Sequence, residues 1–301
     1  MSEKNQTVGE AGEEALVSKI VELIPADGKV VVGPGDDCAV VEFPGGAWQL
    51  LKTDCLIEAV HFEKGTDPKL VGAKALKRVL SDIAAMGGTP GHALVTLALN
   101  EDRAVEEVLG WYEGMGEVAA AFGCNLVGGE TAKLPGEGAL ISIAMTGSVL
   151  PEQCVRRSGA NNGDLILVTG RLGGSFESGR HLTFTPRLRE AAWLVANHCP
   201  SAMMDLSDGL GSDLPRLAKA SDSGYTIALD RIPCHDDVSV KAAVSDGEDY
   251  ELLFTMAPEK AGYLLVAWAA AFPEVPLTVI GEMTSDTPVE LERGWEHYQE
   301  P

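Results

Sequence analysis

The stretch Gly33-Pro34-Gly35-Asp36-Asp37-Cys38-Ala39 links two short apolar segments, which we predict to be β-strands at Val30–Val32 and Cys38–Phe43. Glycine, proline and paired aspartates between strands are typical of a tight turn. A third strand is predicted at Trp48–Thr53, and Asp54 follows it directly. The sequence therefore predicts a sheet in which carboxylates stand at the ends of strands.

Helices and strands are interspersed through the rest of the chain. Asp67-Pro68 predicts the start of a long helix, with Asp67 as its N-cap and Pro68 at its first position. Gly87-Gly88 ends this helix. The best domain boundary lies near Leu150-Pro151, which divides the chain into residues 1–150 and 151–301. Because both parts mix strands with helices, the predicted fold class is α+β.

Acidic residues recur beside Gly, Ser or Thr along the whole chain. Asp82 lies on the long helix, Glu130 follows two glycines, and Asp205 and Asp208 stand three residues apart. Carboxylates gathered at one place repel one another, and a divalent cation removes that cost. Clusters with only oxygen ligands suit Mg²⁺, which can bridge the phosphates of ATP. The alternative is that each of these acids is only a turn residue or a helix cap.

Composition narrows the classes of function. The formal charge is -22, from 23 Lys and Arg against 45 Asp and Glu, so nucleic acid and anionic membranes are not expected partners. No apolar run approaches the ~20 residues of a membrane span, and residues 1–8 lack the apolar region of a signal peptide. The six cysteines lack zinc-site spacing and predict reduced thiols. A cytoplasmic location is therefore expected.

Several familiar nucleotide and catalytic motifs are absent from the sequence. It has no G-x-x-x-x-G-K-[ST] loop, no dinucleotide fingerprint that opens a helix after a strand, and no protein-kinase signature. Any nucleotide chemistry must therefore use another arrangement of residues.

Seven motifs follow one another in a defined order. They are Gly33 to Ala39, Thr53-Asp54-Cys55-Leu56-Ile57-Glu58-Ala59-Val60-His61-Phe62, Leu80-Ser81-Asp82-Ile83-Ala84-Ala85-Met86-Gly87-Gly88, Gly128-Gly129-Glu130-Thr131, Arg157-Ser158-Gly159-Ala160, Asp205-Leu206-Ser207-Asp208-Gly209-Leu210 and Gly247-Glu248-Asp249-Tyr250-Glu251-Leu252. This series resembles the thiamine-monophosphate kinase family, within the superfamily of aminoimidazole ribonucleotide synthetase and selenophosphate synthetase. The resemblance covers most of the chain, from about Val31 to Thr255.

The resemblance implies a two-domain, aminoimidazole ribonucleotide synthetase-like α+β fold. The N-terminal domain would bind ATP and metal and would pair with its twin in a homodimer, forming a dimeric β-barrel. The C-terminal α/β domain would complete the active-site cleft. The implied reaction transfers the γ-phosphate of ATP to thiamine monophosphate, giving thiamine diphosphate and ADP, with several Mg²⁺ ions as cofactors.

The resemblance also implies roles for individual residues. The implied metal ligands are Asp37, Thr53, Asp54, Asp82, Glu130, Asp205 and Asp208. Of these, the catalytic residues are Asp54, Asp82 and Asp208. The nucleotide would contact Gly129, Glu130, Arg157 and Ser207. The thiamine phosphate would contact His61 and Glu248, and Tyr298 would stack on one of its rings.

Simpler interpretations remain open for three of these residues. His61 could be an ordinary surface or core histidine, Arg157 could form a surface salt bridge, and Tyr298 could close the core near the chain's end.

Three features depart from the family pattern. Glu130 replaces the usual Asp, Asp246 stands where the family has Gly, and the segment 173–187 is short. These departures concern the acceptor end more than the ATP end. Two alternatives therefore stay open: a related ATP-using enzyme that acts on another small phosphorylated acceptor, and a non-catalytic nucleotide-binding protein.

Overall fold

A computed structural model describes residues 6–25, 27–286 and 290–295. The first part of the chain forms a six-stranded sheet. Its strands are β1 (Val30–Val32), β2 (Ala39–Glu42), β3 (Trp48–Ile57), β4 (Thr89–Leu99), β5 (Asn125–Lys133) and β6 (Ala139–Val149). They lie in the order β1-β2-β3-β6-β4-β5, and β4 and β5 are parallel while the other neighbours are antiparallel. The helices of this part are α1 (Val8–Ala11), α2 (Glu13–Val21), α3 (Pro68–Ala85) and α4 (Val105–Phe122).

The second part forms a five-stranded antiparallel sheet. Its strands are β7 (Leu165–Thr169), β8 (Ala202–Asp205), β9 (Gly224–Ile227), β10 (Leu252–Met256) and β11 (Leu277–Thr284), in the order β8-β10-β7-β11-β9. The accompanying helices are α5 (Arg180–Thr183), α6 (Leu188–Asn197), α7 (Leu210–Ala220), α8 (Val240–Ser245) and α9 (Pro258–Ala271). Short 3-10 turns lie at Pro151–Gln153 and Leu229–Arg231. The α+β class is thus confirmed.

Within the described residues, one face of the first sheet is covered and the other is exposed. In β6, buried and more exposed residues alternate, so that Ile141, Ile143 and Met145 point into the core. The same alternation in β4 leaves Leu94 and Thr96 on the opposite, exposed face. Residues of α3 and α4 belong to the core cluster on the buried face.

Helix α3 lies between the two sheets. It begins as predicted, since the Asp67 side chain accepts a hydrogen bond from the backbone N–H of Lys69 and Pro68 occupies the first helical position. Its buried apolar residues belong to one hydrophobic cluster that also contains Phe254 of β10 and Trp268 of α9. This cluster therefore runs through both halves of the chain, and a second cluster lies within the second half.

The end of one strand differs from the prediction. Strand β3 does not stop at Thr53 but continues to Ile57, because β6 pairs with it along its whole length. Strand β5 likewise runs through Gly128 to Thr131, paired with β4. Asp54 and Glu130 therefore lie within strands, where strand alternation decides the direction of each side chain. Within the described part of the chain, no helix is both long and apolar enough to cross a membrane.

Candidate active site

Three buried carboxylates meet where the two halves of the chain adjoin. Asp37 lies in the turn between β1 and β2, Asp82 lies on α3, and Asp205 ends β8. Each offers one oxygen atom, and these atoms all lie within 4.8 Å of one another. The three residues are 1%, 7% and 3% exposed. Among the residues that the structure describes, no other group of three acids, histidines or cysteines meets this metal-site criterion.

Each carboxylate has a hydrogen-bonding partner. Lys52 Nζ lies 2.6 Å from Oδ1 of Asp82, and the Ser81 hydroxyl donates to Oδ2 of Asp205 over 2.6 Å. The Arg157 guanidinium pairs with Oδ1 of Asp37. The second oxygen of Asp37, Oδ2, is buried and has no hydrogen-bond partner among the described residues. A buried acceptor oxygen without a partner is costly, so this atom has an unused capacity to bind a cation.

The electrostatics of the cluster also favour a bound cation. Burial raises the pKa of Asp205 to about 6, and the charge of Asp37 adds to the effect. Burial also raises the pKa of Asp82, although Lys52 opposes this. For Lys52, burial alone would lower the pKa, but the Asp82 and Asp54 carboxylates raise it above its usual value. Negative charge exceeds what the local cations neutralise, and an all-oxygen set of this kind fits Mg²⁺.

Two further aspartates flank the cluster. Asp54 extends from the same face of β3 as Lys52, and Arg78 Nε lies 3.2 Å from its Oδ2. Asp36 accepts two hydrogen bonds of 3.2 Å from the backbone N–H of Arg157, and burial raises its pKa to about 6. The contact of Asp36 with Arg157 connects the turn after β1 with the second half of the chain.

A second polar cluster surrounds the fully buried Lys74 of α3. Its Nζ donates to the His61 carbonyl over 2.6 Å and to Glu248 over 2.8 Å, and it lies 2.6 Å from Nδ1 of His181. Burial lowers the pKa of Lys74 to about 8. For Glu248, burial alone would raise the pKa, but His181 and Lys74 together lower it to about 2. This cluster joins α3 to the Gly247–Glu251 turn.

His61 lies beside this second cluster. Its Nδ1 accepts a hydrogen bond of 3.0 Å from the backbone N–H of Ile57, and burial, together with the Arg78 charge, lowers its pKa to about 4. The ring is therefore neutral at physiological pH.

The Asp205-to-Leu210 motif forms a turn around Asp213. The Asp213 carboxylate accepts hydrogen bonds of 3.0 Å from the backbone N–H groups of Ser207 and Asp208. Arg216 pairs with both Asp208 and Asp213. Burial raises the pKa of Asp213 to about 8. Asp213 thus holds the turn in place, and the carboxylate of Asp208 is held by Arg216.

Comparison with known proteins assigns the family. Residues 35–149 match the model described as AIR synthase related protein, N-terminal domain, and residues 174–293 match the corresponding C-terminal domain. A thiamine-monophosphate kinase of Rhodopirellula baltica is 37% identical over 86% of this chain and 85% of the relative. The Escherichia coli K12 thiamine-monophosphate kinase is 33% identical over 96% of this chain and 99% of its own.

The chain belongs to the thiamine-monophosphate kinase family. A solved structure described as AaThiL complexed with AMPPCP and TMP superimposes with a TM-score of 0.84 at 31% identity, covering 98% of this chain and 100% of that one. The two-domain, AIR synthase-like α+β fold is therefore established.

The structure brings some of the predicted metal ligands together, whereas the side chains of Thr53 and Glu130 lie apart from them. Asp37, Asp82 and Asp205 come together, and Asp54 lies next to them through Lys52 and Arg78. The roles themselves stay predictions.

The Thr53 side chain points away from the cluster. It alternates with Asp54 along β3 and is exposed on the open face of the sheet. Its hydroxyl therefore does not face the side of the sheet on which Asp82 lies.

Glu130 also lies away from the three carboxylates. Its row across the sheet runs through Thr96 and Ser142 to Cys55. Three strand spacings separate Glu130 from Cys55, a distance of roughly 14 Å. Its neighbour Gly129 has no room for a side chain, because a Cβ there would lie 1.8 Å from the Val95 carbonyl oxygen. Tyr298 lies outside the described residues.

Sequence reasoning named Arg157 but missed the lysines and Arg78 of the site. Lys74, Arg78 and Asp82 are spaced four residues apart on α3 and therefore share one helical face. Lys52 and Asp54 are two residues apart on β3 and share one face of the sheet. Charged residues on faces that are otherwise apolar were the available signal, but neither pattern was recognised.

Proposed function

We propose that this chain transfers the γ-phosphoryl group of ATP to thiamine monophosphate, giving thiamine diphosphate and ADP. The observation that carries the proposal is the buried group of Asp37, Asp82 and Asp205, in which Oδ2 of Asp37 has no hydrogen-bond partner in the described part of the chain. Family membership supplies the substrates, since the related structure holds AMPPCP, an ATP analogue, together with TMP.

The three carboxylates would hold Mg²⁺, joined by Asp54 of β3 and by Asp208 of the turn before α7. When bound, the metal neutralises the negative charge of the nucleotide phosphates and of the group in transfer. The chain itself fixes the geometry: Ser81 orients Asp205, Arg157 orients Asp37, and Asp213 orients the Ser207–Asp208 backbone. Arg157 and Ser207 remain the proposed nucleotide contacts.

The acceptor is already an anionic phosphate, so no side chain needs to remove a proton from it. Positioning and charge neutralisation supply most of the acceleration in such a reaction. His61 and Glu248 are the proposed contacts for thiamine monophosphate. Their connection through Lys74 supports this proposal, because it places both beside the junction of the two halves.

A second candidate is an ATP-using enzyme with a different small phosphorylated acceptor. The observation in its favour is the Asp246 carboxylate, which accepts a hydrogen bond of 2.8 Å from the backbone N–H of Gly174. The next turn residues are also fixed, since Ser175 donates to the Glu248 carbonyl over 2.7 Å and Gly173 donates to Asp249 over 3.0 Å. The short 173–187 segment therefore hydrogen-bonds directly to residues 246–249, the part of the chain that contains the proposed acceptor contact Glu248.

We also propose a homodimer in which two copies of the first sheet form a β-barrel. Its open face exposes apolar side chains, and Leu94 and Val127 are 49% and 56% exposed. Exposed apolar area of this kind marks interaction surfaces. Glu130 lies on this face and would then look towards the second copy. A Leu94→Glu substitution should convert the dimer to monomers in light scattering, and an unchanged mass would exclude this interface.

We propose that the two halves of the chain have different roles. Residues 1–150 would bind ATP and metal and would dimerise, and residues 151–301 would complete the cleft. A cytoplasmic location remains a prediction.

The function is tested by incubating purified protein with ATP, Mg²⁺ and thiamine monophosphate and separating the products by chromatography. We expect thiamine diphosphate to appear and EDTA to prevent it. If ATP binds with Mg²⁺ but no thiamine diphosphate forms, the acceptor assignment is wrong, and other small phosphorylated compounds should be screened. ATP binding without turnover on any acceptor would favour a non-catalytic protein.

A further inference from the structure

We propose that Lys52 is a built-in competitor for the metal at Asp82, which keeps the empty site neutralised and makes tight metal binding depend on the nucleotide. This inference rests on the proposed function, because it concerns the same carboxylate cluster.

Lys52 points into the cluster because of its place in β3. It shares a face of the sheet with Asp54, and its Nζ lies 2.6 Å from Oδ1 of Asp82. Asp82 in turn lies within 4.8 Å, ligand atom to ligand atom, of Asp37 and Asp205. The ammonium group therefore occupies a position in which a cation is stabilised by several carboxylates at once.

The other cations of the site are held differently. The planar guanidinium of Arg157 contacts Asp37, and the backbone N–H of Arg157 donates a hydrogen bond to Asp36. Arg78 is held by Asp54 and by the Cys55 carbonyl. Lys52, in contrast, is a point charge on a flexible four-carbon stem, and among the described residues its ammonium group has one direct carboxylate partner, Asp82. Among these three cations, Lys52 is therefore the one that a metal ion displaces most easily.

A divalent ion that takes Oδ1 of Asp82 must displace this ammonium group. The displaced Lys52 remains near Asp54 but loses its direct partner on α3. An anionic phosphate beside the cluster would supply a new partner for the ammonium group. Metal binding alone is therefore opposed by Lys52, whereas metal binding with a nucleotide is not, and the two ligands bind with positive coupling.

The test compares wild type with Lys52→Met and with the control Lys133→Met. Lys133 lies on β5 of the same sheet, pairs with Glu101 and is 64% exposed, so the control removes the same charge away from the cluster. Mn²⁺ serves as the metal probe, and binding is followed by its electron paramagnetic resonance signal with and without a non-hydrolysable ATP analogue. Melting temperatures are measured in EDTA.

We expect Lys52→Met to bind Mn²⁺ alone about tenfold or more tightly than wild type, since a positive charge next to the metal is removed. The nucleotide should then strengthen metal binding less than in wild type. In EDTA, Lys52→Met should melt several degrees lower, because the carboxylates lose their cation. Lys133→Met should match wild type in all three measurements.

Equal Mn²⁺ affinity of wild type and Lys52→Met would overturn the inference and leave the proposed function standing. Absence of Mn²⁺ binding by every protein, even with the nucleotide, would instead overturn the metal site and with it both proposals. If Lys52→Met does not fold, Lys52→Gln and Lys52→Arg take its place: we expect tight metal binding for Gln and wild-type behaviour for Arg, and equal affinities would again overturn the inference.

Discussion

Replacing Asp205 with Asn tests the electrostatic description of the carboxylate cluster. Burial raises the pKa of Asp205 to about 6 in the folded chain. A carboxyl whose pKa is raised by about two units destabilises the folded state by roughly 3 kcal/mol when it ionises. Asparagine carries no charge and can still accept the hydrogen bond that Ser81 donates. We therefore expect Asp205→Asn to be more stable than wild type in EDTA, by about 1–3 kcal/mol at about pH 8.

The pH dependence fixes the sign of this effect. Because the pKa of Asp205 is higher in the folded state than in the unfolded state, protonation stabilises the fold at low pH. That stability is lost as the pH rises through about 6. The advantage of Asp205→Asn should therefore disappear at about pH 4 and reach its full size above about pH 7.

Urea unfolding in EDTA at the two pH values measures the difference in the free energy of unfolding. Asp236→Asn is the matched control, since the Asp236 side chain is fully exposed. Mg²⁺ added together with a non-hydrolysable ATP analogue should stabilise wild type and should stabilise Asp205→Asn much less. If Asp205→Asn were less stable than wild type at about pH 8 in EDTA, the neighbouring cations would outweigh burial and the reasoning would be refuted.

Three further substitutions test packing, the buried ion pair and catalysis. Gly114→Ala places a Cβ 2.0 Å from a backbone carbonyl oxygen of α3 and should lower the free energy of unfolding, measured by thermal unfolding, by about 1–3 kcal/mol. In the control Gly116→Ala, the added Cβ meets nothing within 4 Å and should raise the free energy of unfolding by up to about 1 kcal/mol. Equal effects of the two substitutions would contradict the packing of α4 on α3. Lys74→Met leaves Glu248 without its ammonium partner and should cost about 3–5 kcal/mol in urea unfolding, with partial recovery on adding Glu248→Gln; no recovery would argue against the pairing. Asp54→Asn should lower turnover about a hundredfold or more in the thiamine diphosphate assay with little change in melting temperature, and near-normal turnover would remove Asp54 from the site.

The sequence predicted the elements of the site better than their assembly. The start of α3 at Asp67-Pro68 depends on local hydrogen bonds, so the residues themselves reveal it. The direction of the Thr53 side chain and the position of Glu130 depend on how far strands extend and on their register with partner strands. Local patterns do not contain that information.

Long-range ion pairs were equally hidden. Lys74 and Glu248 are 174 positions apart in the chain, and nothing near either residue indicates that they meet. A lysine on an otherwise apolar helical face is an exception to the pattern, and the sequence does not show which residue pairs with it. The resemblance to the family pointed to Arg157 and to several of the acids but not to Lys52, Lys74 or Arg78.

The hydrophobic cluster that joins α3 to both sheets links the unfolding of the two halves of the chain. Because residues of the first half pack in the same cluster as Phe254 and Trp268, melting of either half exposes apolar surface of the other, and we expect the two halves to unfold together. Gene fragments that encode residues 1–150 or 151–301 alone would each yield an aggregation-prone polypeptide with a bare apolar surface. Co-expressed, the two fragments would be expected to rescue each other, as a split protein does.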